Sequence, residues 1–268
     1  MVNSNSPSPS ESSTDVKRNR LLLVLSGIFI TNALLAEIIG VKIFSGESVV
    51  GLPPAQLNIL GFVMDFNLTA GALIWPVVFL TTDLINEYFG KPGVKRVSYL
   101  TALLILYAFM VIFMAMELPP AEWWANLADE TGNVYNMDLA FNRILGQGQR
   151  IIAGSLAAFL LGQLVDVFVF QRLRRLTGSR MLWVRATGST LVSQLVDSFV
   201  VLFIAFYGVF SNNQIIAIAI TNYVYKFAVA ILLTPLIYVG HYLIDRYLGK
   251  DEALRISEEA ARGSRGFL

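Results

Sequence analysis

The sequence has no cysteine, which excludes disulfides, thiolate metal sites and cysteine nucleophiles. Its single histidine, His241, excludes a multi-histidine metal centre. Charge is scarce as well. Asp, Glu, Lys and Arg make up 15% of the 268 residues, whereas a soluble domain carries roughly 25%. The mean hydropathy is +0.61. So few charges cannot cover a water-facing surface, and a net charge of +1 offers nucleic acid no basic footprint. The same composition excludes a disordered chain and a coiled coil. It fits an all-α integral membrane protein that crosses the bilayer several times.

Six apolar segments carry this reading: about 21–44, 68–89, 97–116, 150–170, 183–210 and 214–243. Each reaches the ~20 residues a helix needs to cross the hydrocarbon. The runs are continuous rather than alternating, which excludes a β-barrel. Residues 1–16 are polar and rich in Ser, and are expected as a disordered tail. Residues 17–248 form the transmembrane domain, and 249–268 a charged C-terminal segment, a short helix or tail in water. The apolar run after Lys17, Arg18 and Arg20 is too long for a signal peptide. Sixteen Lys and Arg fall on one side of the six segments and three on the other, with Lys226 inside the last. The positive-inside rule then places both termini in the cytoplasm. On the opposite side, the loop 45–67 contains a partly alternating run around Gly61, expected as a small hairpin. The loop 117–149 is acidic, with Asp129 and Glu130 among its carboxylates. Its Trp123 and Trp124 read as interfacial anchors.

The chemistry lies inside the segments. Glu37, Asp83, Glu87, Asp166, Asp197 and Lys226 fall at or near mid-membrane depth, where a charge costs roughly 2.5–3.5 kcal/mol on insertion scales. Such groups face one another or a hydrated cavity, or act as packing glue. Trp75, Phe79, Asp83 and Glu87 recur every four residues and share a helix face. Gln163 and Asp166 pair on the fourth segment, Gln194 and Asp197 on the fifth, Asn222 and Lys226 on the sixth. Carboxylates and amides beside aromatic rings suit a planar, polar, nitrogen-rich ligand. An internal echo relates 162–169 to 193–200, with Gln and Asp at matching positions. An inward fourth span and an outward fifth would make it an inverted repeat. Gly154, Ala158 and Gly162 form a small-residue stripe for close helix packing.

Several stretches resemble one family. The run Thr82-Asp83-Leu84-Ile85-Asn86-Glu87-Tyr88-Phe89-Gly90-Lys91 is similar to the signature of the queuosine precursor transporters, carriers of the vitamin-uptake type. The runs 161–170 and 189–197, and Lys226 followed by Pro235, share the likeness. The resemblance covers about residues 20–248. It implies a six-helix bundle similar to the substrate-binding subunits of energy-coupling-factor importers, sited in the cytoplasmic (inner) membrane. It also implies uptake of the 7-cyano and 7-aminomethyl forms of 7-deazaguanine, with no cofactor and no enzymatic activity. The expected substrate contacts are Asp83, Gln163, Asp166, Gln194, Asp197 and Lys226, with Trp75, Asn222 and Glu87 beside them. Lys226 is expected to pair with Asp197 or Asp166. Two other readings stay open. One is a binding subunit that needs a separate ATPase module, for which Ala153 and Ala157 have the docking spacing. The other is an intramembrane aspartyl enzyme using Asp166 and Asp197. A homodimer is open too. No nucleotide-binding loop is present, so any ATP use belongs to a partner.

Overall fold

The computed structural model describes residues 9–128, 132–146, 149–177 and 181–263. Residues 1–8 of the expected tail, and the loop charges Asp129, Glu130, Arg180 and Arg265, lie outside the described residues. Helix α1 runs Pro9–Ile39 and so begins within the segment expected as a tail. Proline suits the first turn, where its missing N–H has no partner to lose. Next come strand β1 (Ile43–Ser45), helix α2 (Gly46–Val49), β2 (Leu57–Ile59), β3 (Phe62–Met64) and β4 (Asn67–Thr69). A 3-10 turn at Ala70–Leu73 leads into α3, Trp75–Met116. Four short elements follow: α4 (Glu122–Ala125), β5 (Asn126–Ala128), β6 (Val134–Asn136) and α5 (Met137–Leu145). The chain ends with α6 (Gln149–Thr177), α7 (Leu182–Phe206), α8 (Asn212–Leu248) and α9 (Lys250–Gly263).

Among the described residues, α1, α3, α6, α7 and α8 are long and apolar enough to cross a membrane. The strands form only separate two-stranded ribbons. Leu23, Leu106, Phe168 and Leu232 are among many large apolar side chains left exposed. A soluble monomer does not leave so much apolar surface bare; lipid covers it. Inside, Leu21, Leu25, Phe29 and Ala33 recur every four residues and bury one stripe of α1 in the core beside α3.

Helix α3 has 42 residues, or ~63 Å of helix against ~30 Å of hydrocarbon. It is not straight. Gly90 has φ 65° and ψ −171°, a backbone that a side chain would strain, and Pro92 follows. Thr82 donates to Gln163 Oε1 at 3.2 Å, and Ser98 lines a crevice with the same Gln163. An unbroken helix would hold Thr82 and Ser98 ~24 Å apart along its axis. The chain therefore doubles back at Gly90, and both arms of α3 lie along α6.

The loop before α3 contains the expected hairpin. β2 pairs with β3, and Leu60 (φ 52°) and Gly61 (φ 86°) make the turn, matching the positive φ values of a type I′ connection. β1 pairs with β4. Between these ribbons, the Glu47 carboxylate accepts the Phe66 N–H at 2.7 Å, the Ala55 N–H at 3.2 Å and the Ser45 hydroxyl at 3.0 Å. These donors, the Phe66 amide foremost, hold its carboxyl below the usual glutamate value.

Helices α6 and α7 pack antiparallel, with Gly154 against Val201, Ile204 and Ala205, Gly162 against Ser193 and Asp197, and Leu173 against Gly188. At Gly154 an added Cβ would lie 3.0 Å from the Val201 carbonyl oxygen; at Gly162 the nearest atom would be 3.7 Å away. Gly154→Ala is expected to cost about 1–3 kcal/mol by forcing the helices apart, while Gly162→Ala leaves stability unchanged. Thermal unfolding of the two purified variants checks this. Equal losses would mean that the stripe is not what brings the helices together.

The C-terminal segment is a helix packed on the bundle. Ala253, Ile256, Ser257 and Ala260 form the buried face of α9, which lies against α3. Its charged residues, Glu252, Arg255 and Glu259, pair on the outer face.

Candidate functional site

A cavity opens between α3, α7 and α8. Trp75 and Asp83 come from α3, Thr190 and Gln194 from α7, and Tyr225 and Lys226 from α8. Pro76 at the second position of α3 fits a helix start, so Trp75 stands at the cavity's edge on a rigid first turn. Its ring lies 5.9 Å from Phe79 and 5.7 Å from Phe159, and Phe159 lies 6.1 Å from Phe29. These contacts fix the indole beside the opening.

Four of the nine expected contact residues line this cavity: Trp75, Asp83, Gln194 and Lys226. A fifth, Asp197, holds Lys226 by an ion pair, Nζ to Oδ2 at 2.5 Å. Of the two carboxylates expected for Lys226, Asp197 is the partner. Both side chains keep about one fifth of their surface exposed (21% and 20%), so the pair stays within reach of the cavity. Gln163 and Asp166 lie behind the wall. Gln163 accepts from Thr82, and Asp166 accepts the Ser193 hydroxyl at 3.3 Å. The cavity wall itself is underbonded. Neither amide atom of Gln194, nor Asp83 Oδ1, has a hydrogen-bond partner among the described residues. Buried polar atoms left open in this way are poised for water or a polar ligand.

The other two do not reach the cavity. Asn222 bonds its own helix, donating to the Ile218 carbonyl at 3.2 Å. Glu87 lies one helical turn beyond Asp83 and is fully engaged. It pairs with Arg174 at 3.2 Å and Arg185 at 3.0 Å, and accepts the Ser257 hydroxyl at 2.9 Å. Arg174 also donates to the Ser257 carbonyl and hydroxyl and to the Glu87 carbonyl. Arg185 is 2% exposed and lies over the Phe170 ring. Tyr88, beside Glu87, donates to Asp245 and contacts His241 Nδ1, both at 2.9 Å. This polar layer, closed by α9, floors the bundle below the cavity. In the sequence Arg174 and Arg185 read only as charges on the basic side, and Ser257 carries no signal. The available signal was Glu87 itself, an intramembrane carboxylate that needs a cationic partner.

The echoed segments meet each other. Gly162, in the first copy, faces Asp197. Ser193, its counterpart in the second, hydrogen-bonds Asp166, the counterpart of Asp197. The two copies thus touch through equivalent positions, as a local two-fold axis requires. They differ in their neighbours: Asp166 meets the Ser193 hydroxyl, whereas Asp197 meets Gly162 and Lys226.

Comparison with known proteins identifies the family. The family model described as putative vitamin uptake transporter matches residues 69–240. A probable queuosine precursor transporter of Bacillus subtilis is 32% identical over 71% of this chain and 80% of its own length. The queuosine precursor transporter of Escherichia coli is 32% identical over 63% of this chain and 71% of its own. A probable queuosine precursor transporter of Haemophilus influenzae is 30% identical over 66% of this chain and 71% of its own. No solved structure matches. With the matched region running from the start of the cavity wall to α8, the chain belongs to the vitamin-uptake-type family of queuosine precursor transporters.

Proposed function

We propose that this transporter imports a 7-deazaguanine precursor of queuosine, the 7-cyano or 7-aminomethyl form, across the cytoplasmic membrane. The observation that carries the reading is the cavity that sets Trp75, Asp83 and Gln194 beside the Lys226–Asp197 pair. A 7-deazaguanine offers N1–H and an exocyclic amine as donors and O6 as an acceptor. Asp83 and the Gln194 carbonyl suit the donor edge, and Trp75 can stack on the ring. Lys226 suits O6, so substrate competes with Asp197 for the ammonium. Gln163, Asp166, Asn222 and Glu87 act from behind or below the cavity.

In this reading the two arms of α3 are separate spans, giving six in all. The end of the bundle bearing Arg174, Arg185 and α9 faces the cytoplasm, in keeping with the basic residues clustered there. The relatives are named as transporters, which argues against the intramembrane aspartyl enzyme. The deciding experiment is to reconstitute the purified chain alone in liposomes and follow labelled 7-cyano-7-deazaguanine and its 7-aminomethyl analogue. Saturable uptake of one of them, blocked by excess unlabelled compound, is the expected result. Binding without uptake would instead favour a subunit that needs an ATPase module. Neither binding nor uptake, with the protein folded, would overturn the substrate assignment.

A further inference from the structure

The two echoed aspartates sit in the same motif and yet have different neighbours. Asp197 has a cation, Lys226, in direct contact. Asp166 is 1% exposed and has hydroxyl partners, Ser193 among them. Its own charge acts across the helix boundary on another carboxyl, Asp83 of α3, itself 4% exposed and next to the Thr82 that bonds Gln163. Each of these carboxyls has one oxygen, Asp83 Oδ1 and Asp166 Oδ2, without a hydrogen-bond partner among the described residues.

The charged groups around this pair are otherwise committed. From α7, Arg185 acts on Asp83, but its Nη2 is given to Glu87. From α3 itself, Glu87 adds a second negative charge, and Arg174 of α6 and Ser257 of α9 are bound to it. From α8, Lys226 is held by Asp197. Glu37 of α1 bonds Ser155, and the charge that acts on it is that of Asp197. Two neighbouring carboxylates in a low-dielectric interior repel strongly, and a single proton on the pair removes the repulsion. Their open oxygens leave room for that proton to be exchanged. Asp83 lines the cavity and Asp166 lies directly behind it, so the pair can be reached from the substrate's side. Gln194, 3% exposed with both amide atoms open, stands on the same wall as a relay for water.

We propose that Asp83 and Asp166 form the proton site that couples uptake to the transmembrane proton gradient, while Lys226 and Asp197 answer to the substrate. One proton is taken up with the substrate while the cavity faces outward. It is released to the cytoplasm when the cavity opens inward. No bond in the substrate is made or broken. The two copies of the motif thus have different neighbours: Asp197 has a cation in direct contact, and Asp166 has hydroxyls and a second carboxyl.

This inference rests on the substrate reading above, and its test keeps the two apart. Purified protein in liposomes is given labelled 7-deazaguanine precursor under an imposed pH gradient, acidic outside, with the membrane potential clamped by valinomycin and potassium. Substrate counterflow, which needs no gradient, is measured alongside. Wild type is expected to accumulate substrate above equilibrium and to acidify the lumen, reported by a trapped pH dye. Asp166→Asn, behind the cavity wall, is expected to lose accumulation and acidification at least tenfold while counterflow continues; Asp83→Asn, which also faces the substrate, is expected to lose counterflow as well. Wild-type uptake that ignores the gradient overturns the proposal. So does an Asp166→Asn variant that still accumulates, and so does loss of its counterflow, which would assign that carboxyl to binding or folding. Absence of counterflow in wild type itself would overturn the substrate reading, and this one with it.

Discussion

Replacing Glu87 by alanine is expected to destabilise the protein by about 3–5 kcal/mol, the usual loss when one partner of a buried ion pair is removed. The reason is local. Glu87 is the shared acceptor for Arg174, Arg185 and the Ser257 hydroxyl, and all four side chains are buried. Without it, two guanidinium groups would lie together in the bundle with no carboxylate between them. Thermal unfolding of the purified variant in detergent measures the loss. Loss of the packed α9 should accompany it, seen as faster proteolysis after Gly249, the residue that joins α8 to α9. Glu87→Gln, which keeps the shape and can still accept hydrogen bonds, is expected to fall between the wild type and the alanine variant. A shift below ~1 kcal/mol for Glu87→Ala would mean that water reaches the cluster, and the layer could not then act as a floor.

The second large effect is expected at Lys226. Lys226→Met should reduce uptake tenfold or more, about 1.4 kcal/mol of lost interaction, while membrane abundance stays near that of the wild type. The pair is partly exposed, so its removal costs stability less than the Glu87 cluster does. The variant leaves Asp197 without its cation, beside Gly162, which has no side chain to donate. Combining Lys226→Met with Asp197→Asn restores charge balance. If the pair serves only to hold α7 against α8, the double variant should recover uptake. If the ammonium meets the substrate, uptake stays low. Measuring uptake and abundance together for the single and double variants decides between these outcomes.

Much of this architecture could be read from the residues. The stripe Leu21, Leu25, Phe29 and Ala33 is apolar at helical spacing, and it is the face that α1 buries. Lys226 needed a carboxylate and has one. Leu60-Gly61 between short apolar runs gave the hairpin. Helical phasing was less informative at Glu87. It shares a face with Trp75 and Asp83, but phase fixes direction and says nothing of depth. One turn below Asp83 the opposing helices supply arginines, and the cavity ends. Arg174 and Arg185 look like topology markers in the sequence, since each borders a loop, and only the path of the chain brings them to Glu87. Asn222 shows the same limit in another form. It lies four residues before Lys226, yet its amide is used by the carbonyl of its own helix. The turn-back at Gly90 was legible as a break between segments, but the helix resumes at once rather than after a loop.

The position of Ser257 has a consequence for how the protein is made. Its hydroxyl is contributed by α9, after the apolar helices in chain order, and it closes a cluster begun by Glu87 some 170 residues earlier. Throughout synthesis the membrane-inserted part therefore holds an incomplete polar layer, first a carboxylate awaiting its arginines and then three charges without their lid. A chain cut just after residue 248 would keep α1, α3, α6, α7 and α8 and still leave the Glu87 cluster open.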